Sequence, residues 1–258
     1  MKYITIVLLV LLTASCVGGG DLYYDTLEKG QEIPSENGQL DHSKWDAILK
    51  EYVNSEGFVD YVGLKEEQAE LKEYLSYLNE NVPQKSWSIN EQFAYYINLY
   101  NANTVDLILM NDLPASIKDI DGPLGQVWLK KFAQVGDKEY SLAAIEKNVL
   151  QKMGDARIHF AINCASFSCP KLQNTAFTAA NVDALMDKSA IEFVNSEKND
   201  LSDPQNPKLS SIFDFYPEDF TQNGMTLAQF INQYADSQIA EKDSYSYKDY
   251  DWSLNSQK

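Results

Sequence analysis

The chain has 258 residues, 44% hydrophobic and 12% aromatic, which is enough to bury a full core, and a single large domain is expected. Its 38 acids against 21 bases give a formal charge of −17, with no Lys/Arg-rich run after the first residues. A surface of that sign repels phosphate backbones and anionic lipid heads, so nucleic acid is not an expected partner.

Lys2, an apolar run from Ile4 to Leu12, and Thr13-Ala14-Ser15 before Cys16 read as an export signal. The run is too short to span a bilayer, and small residues stand where a signal peptidase cuts. Small residues directly before a cysteine resemble the bacterial lipobox, in which that cysteine becomes the lipidated first residue of the mature protein. The expected layout is a signal peptide over 1–16, lipidation at Cys16, a flexible tether over 17–41 and one globular domain over 42–258. This places the protein in the bacterial cell envelope, with the membrane as a partner through the lipid. Cys164 and Cys169 then remain, an even number in an oxidising compartment, where they could form a disulfide.

Trp45, Ile48, Leu49 and Tyr52 have the spacing of a helix with one buried face, over His42 to Tyr52. GFVDYVGL alternates like a strand. Glu66 to Leu78 returns to helical spacing before Pro83. Ser88 and Glu91 form an S-x-x-E capping box, so the next helix starts near Ser88 and runs to about Met110. Phe93, Ile97, Tyr100, Thr104, Val105 and Ile108 share its apolar face, and Gln92, Asn103 and Asp106 mark its back. Asn101 falls within the apolar face and Asn98 on its flank. A buried carboxamide without a partner costs about 1–3 kcal/mol, so both must be bonded, either to lock the packing or to serve a site.

Ile117 to Gly125 reads as a loop, and Trp128 to Tyr140 as a hairpin about Gly136-Asp137. Ser141 is a plausible N-cap for a helix through Leu150 that carries Glu146. Arg157 to Asn163 reads as a buried strand running into a Ser/Cys-rich turn. Thr178 to Val194 reads as a helix, Leu209 to Phe215 as a strand and Leu227 to Tyr234 as a helix. Short strands among helices without βαβ alternation argue for an α+β single domain, with helices around a small, mostly antiparallel sheet.

The stretch RIHFAINCASFSCP, Arg157 to Pro170, holds two of the three cysteines and one of the two histidines. On an ideal strand His159 and Cys164, five residues apart, face opposite ways, so they meet only if the chain bends at Asn163 to Ser166. Three chemistries fit. Cys164 is a thiolate nucleophile with His159 as base, and backbone N–H groups of the bend hold an oxyanion. Alternatively His159, Cys164 and Cys169 bind a metal, for which the spacing is a weak signature. The third option is a local disulfide, or two buried thiols beside a core histidine.

FAYYINLYNA, SLAAIE, ARIHFAINCASFSCPKL, IFDFYPEDF and YDWSLN, in that order, resemble the hallmarks of the domain-of-unknown-function family 547, from about Trp45 to Asn255. The resemblance implies a pattern on Asn98, Asn101, Glu146, Arg157, His159, Cys164 and Cys169, and no established activity. The order of a central helix and a histidine-bearing segment is also distantly similar to papain-like and transglutaminase-like enzymes, with the cysteine after the histidine rather than before it. The expected catalytic set is Cys164, His159, Asn101 and Glu146, with Asn98, Arg157, Ser168 and Cys169 toward the substrate. The expected reaction is hydrolysis or acyl transfer at an amide, ester or peptide bond of envelope material, with no metal and no cofactor. The alternative is a non-catalytic module that binds a small-molecule, peptide or glycan ligand, with the cysteines bridged.

Overall fold

A computed structural model describes residues 22–28, 31, 38–120 and 126–257. Cys16 and the export signal lie outside the described residues, as does part of the expected tether. Within its described residues, 22–28, 31 and 38–41, Asp25 exchanges hydrogen bonds with the Gln92 side chain, Tyr96 donates to the Tyr23 carbonyl, and Leu22 and Leu27 pack on the core.

The α+β class stands. The chain folds as α1 (Ser43–Tyr52), α2 (Tyr61–Glu66), α3 (Gln68–Glu80) and α4 (Ile89–Met110), then the hairpin β1 (Lys131–Val135) and β2 (Lys138–Ser141). After it come α5 (Leu142–Asn148), α6 (Ile158–Ala161), α7 (Val182–Val194), β3 (Lys208–Leu209), α8 (Ile212–Phe215), α9 (Pro217–Phe220), α10 (Leu227–Ile231) and β4 (Ser246–Tyr247). β1 and β2 pair antiparallel across the Gly136-Asp137 turn, where Gly136 takes φ +63°; β3 and β4 pair parallel. Among the described residues no helix is long and apolar enough to cross a membrane.

The helix α4 is the axis. Ser88 caps it by accepting from the Glu91 N–H, but Glu91 does not return the bond; its carboxylate accepts from the N–H groups of Gln39 and Leu40. Every residue from Asn90 to Leu109 is buried, so the polar back expected at Gln92, Asn103 and Asp106 does not face solvent. A helix enclosed on all sides must bond its polar side chains internally. Gln92 pairs with Asp25, Asp106 with Lys72 and Gln68, and Asn103 with the Leu99 carbonyl.

Three expected strands are not strands. GFVDYVGL contributes isolated bridges at Val59 and then becomes α2, which Asp60 caps. Leu209 to Phe215 keeps strand pairing only at its first residue and becomes α8. Arg157 to Asn163 forms the four-residue helix α6. A short continuous apolar run has no period that separates strand from helix, and here burial runs unbroken from Ile158 to Asn163.

This small helix lies where two apolar clusters meet. Ile158 and Ala161 belong to the larger core around α4, and Phe160 to an aromatic cluster with Phe193, Phe213, Phe220 and Phe230. The C-terminal tail ties the seam together. Asn255 donates its N–H to the Ala165 carbonyl and accepts from Tyr61 Oη at 2.8 Å, and Phe167 N–H donates to the Ser253 carbonyl.

Candidate functional site

The bend after α6 is built by asparagines. Asn101 on α4 spans it, donating to the Ala161 carbonyl at 2.9 Å and accepting from the Asn163 N–H at 2.8 Å. Asn163 in turn donates to the Pro170 carbonyl at 2.7 Å and accepts from the Ala165 N–H at 2.8 Å. Ala165 sits at φ +59°, a left-handed backbone that a side chain rarely adopts, and these bonds hold it there. The result turns the chain sharply between Cys164 and Ser166.

The turn sets both sulfurs at one cavity of about 320 Å³, whose lining includes His159, Glu146, Tyr216, Tyr250 and Trp252. Cys164 and Cys169 are free thiols, so the disulfide is not formed. The Cys164 N–H donates to Cys169 Sγ at 3.0 Å, and Cys164 Sγ lies 3.3 Å from both Ser166 Oγ and Tyr250 Oη. Hydrogen bonding from Cys169, then from Ser166 and Tyr250, pulls the Cys164 thiol down to about 7, against burial that pushes it up. Burial and the neighbouring sulfur push Cys169 well above the ordinary thiol range. The pair therefore divides its roles, with Cys164 the anion and Cys169 the donor.

His159 is 3% exposed and stacks on Tyr216, with ring centroids 4.0 Å apart. Its Nε2 lies 2.6 Å from Asp219 Oδ2. With the carboxylate ionised, Nε2 carries the proton and Nδ1 is left as the basic nitrogen. Glu146 accepts from Tyr216 Oη at 2.7 Å and from Tyr100 Oη at 3.4 Å.

The expected site residues thus divide. Cys164, Cys169, His159 and Glu146 line one cavity. Asn101 stands behind it, holding the bend. Asn98 donates to the Phe177 carbonyl and accepts from its N–H, away from the cavity. Arg157 is bound by Asp155, Asp183 and Asp187, and Ser168 is stitched to Asp251 at both Oγ and N–H. Neither lines the cavity. Most of the oxyanion donors expected from the bend backbone are spent: the N–H groups of Cys164, Ala165, Phe167, Ser168 and Cys169 donate within the protein, and the Ser166 N–H faces the Cys164 sulfur. Among the described residues no group of three His, Cys, Asp or Glu side chains is placed to hold a metal ion.

Residue-by-residue reading missed Asp219, Tyr216, Tyr250 and Lys198. The first three lie in the stretches IFDFYPEDF and YDWSLN, which carried the resemblance but drew no site assignment. Lys198 donates its ammonium to the Cys169 carbonyl and had no signal of its own.

An α+β domain with a free dithiol and an Asp-bound histidine on one aromatic hollow is the class that fold and site define. Within it, residues 84–194 match the model of a family described as a protein of unknown function, DUF547, so the chain carries that family's segment. The matched span holds FAYYINLYNA, SLAAIE and the Cys/His stretch, whereas Asp219, Tyr216 and Tyr250 lie beyond it. Neither a curated protein nor a solved structure matches the chain.

Proposed function

We propose that the hollow performs thiol-dependent hydrolysis or acyl transfer, with Cys164 as nucleophile and His159 as its acid–base partner. The observation that carries this reading is a half-buried sulfur, hydrogen-bonded by three donors and drawn to about 7, on the same cavity as an Asp-oriented imidazole. A thiol titrating near neutrality combines a large thiolate fraction with retained nucleophilicity.

In the reaction the Cys164 thiolate attacks an acyl carbon, and the S–C bond forms as the carbonyl π pair moves to oxygen. Tyr250 Oη and Ser166 Oγ, each 3.3 Å from the sulfur, are the side-chain donors at hand for the developing oxyanion, in place of the backbone groups the bend has already used. Collapse of the adduct breaks the bond to the amine or alcohol, which takes its proton from the imidazolium of His159. Water or an acceptor nucleophile, deprotonated by the same imidazole, then cleaves the thioester and returns the thiolate. Asp219 holds the ring throughout.

The substrate follows from the predicted address. An export signal ending at Cys16 supports an amide, ester or peptide bond of envelope material on a lipid-anchored protein. Incorporation of labelled palmitate, lost in Cys16→Ser, tests the anchor.

The chemistry is tested by the pH dependence of iodoacetamide alkylation, read residue by residue in the mass spectrum of the native protein. Cys164 is expected to react with a midpoint near 7 and Cys169 to react slowly. Two slow thiols with midpoints of about 8.5, the ordinary cysteine value, would end the nucleophile reading.

A further inference from the structure

The thiol chemistry leaves one wall of the hollow unexplained. Glu146 is 6% exposed, and its carboxylate is bonded by two tyrosine hydroxyls, both neutral. Among the described residues no Lys, Arg or His forms an ion pair with it. Lys147, on the same lining, is exposed at the mouth, and water screens its charge. A buried carboxylate gains from a counter-charge set beside its hydrogen bonds, and among the described residues no cationic side chain lies within ion-pair distance of it.

The surrounding surface is suited to a cation. Trp128, Trp252, Tyr250 and Phe215 form a continuous run of rings, with centroid separations of 5.5, 4.4 and 5.5 Å. Aromatic faces carry negative potential and attract ammonium groups. One ring of this run already does so, since Lys118 Nζ lies 4.9 Å over Trp252. Leu129 and Phe215 are two of the few large apolar side chains left exposed, and both lie on the lining, where an aliphatic stem would cover them. A sugar would also stack on such rings, but its hydroxyls need several free polar partners. Here Glu146, Tyr100 and Tyr216 are bonded to one another.

We propose that the hollow binds an alkylammonium group, with Glu146 as its counter-charge and the Tyr250–Trp252 wall against its stem and cation. The substrate is then an acyl compound that carries an amine within reach of the Cys164 sulfur. The substrate role rests on the acyl-transfer reading above; the ammonium site does not.

The test uses the folded chain and small probes. Pentylammonium chloride, pentan-1-ol and methyl glucoside are titrated calorimetrically at constant ionic strength, and each is then assayed for protection of Cys164 against iodoacetamide. Pentylammonium is expected to bind about tenfold more tightly than pentanol, the size of one desolvated charge-assisted contact. It is also expected to be the probe that slows alkylation. Glu146→Gln, which keeps the shape and one tyrosine bond while its amide N–H donates to the other tyrosine oxygen, is expected to abolish the preference while leaving pentanol unchanged. Equal affinity for amine and alcohol, tighter binding of the glucoside, or a preference that survives Glu146→Gln would overturn the proposal. The wild-type comparison stands by itself if the variant fails to fold. The titration reads binding whether or not Cys164 proves activated, so loss of the nucleophile reading and loss of the ammonium site give different results.

Discussion

Two sets of polar side chains flank the end of α6, and they have opposite fates. On the α4 side, Asn101, Asn98 and Asn163 spend both ends of each carboxamide on backbone groups. On the cavity side, Cys164, His159 and Glu146 are bonded only to other side chains around open space, apart from the backbone bond their helix or bend requires. A motif made of polar residues is therefore not uniformly a site. The asparagines are the scaffold that makes a strained bend affordable, and the bend brings the sulfur to the cavity that His159 of α6 and Glu146 of α5 also line.

The largest expected effect breaks the scaffold. Asn101→Ala orphans the Ala161 carbonyl and the Asn163 N–H inside the core, at about 1–3 kcal/mol each, so a loss of about 4 kcal/mol is expected in urea unfolding. A variant as stable as the parent would dissolve the distinction between clamp and site.

His42 extends the same contrast to the start of α1, as a titratable group enclosed for packing. Its Nδ1 lies 2.7 Å from Tyr74 Oη, its Nε2 has no partner among the described residues, and burial lowers it from 6.5 to about 4. The unfolded chain takes up this proton near 6.5 and the folded chain only near 4. Stability is thus complete above 6.5, falls as pH drops from 6.5 towards 4, and is flat below, for a total of about 3 kcal/mol. Unfolding midpoints across that window check it, and His42→Asn should remove this part of the acid slope.

Arg157 sharpens the comparison, because it borders the Cys/His stretch yet belongs with the scaffold. Burial disfavours its charge, but Asp155, Asp187 and Asp183 hold the guanidinium protonated well above its ordinary range. Arg157→Gln leaves Asp155, 11% exposed, without its cation, and about 2 kcal/mol of stability should be lost. The alkylation midpoint of Cys164 should not move.

The smallest effect lies inside the cavity. Tyr250→Phe removes one donor from the Cys164 thiolate, and the alkylation midpoint should rise by about one pH unit, the worth of a single charge-assisted hydrogen bond. Global stability should hardly change. An unmoved midpoint would mean that Tyr250 only fills space.

Much of the site was legible because its residue types are rare. Two sulfurs and a histidine within one short stretch stood out against a chain nearly free of both, and Ser88 marked the start of α4. Asp219 and Tyr250 were legible only as parts of longer motifs. Carboxylates and tyrosines are common here, and nothing local distinguishes one that meets an imidazole or a sulfur across sixty or eighty-six residues.

The sequence by itself determined the α+β class, the helices with clear period or caps and the bend after Asn163. Period, capping and turn chemistry act over a few residues, so they can be read without a fold. Tertiary structure alone decided that α6 is a helix, that α4 is enclosed on every side, that the N-terminal segment docks, and which polar residues are clamps. Each of those outcomes depends on which groups remain for a buried atom to bond, and that is set by chain segments far away in sequence.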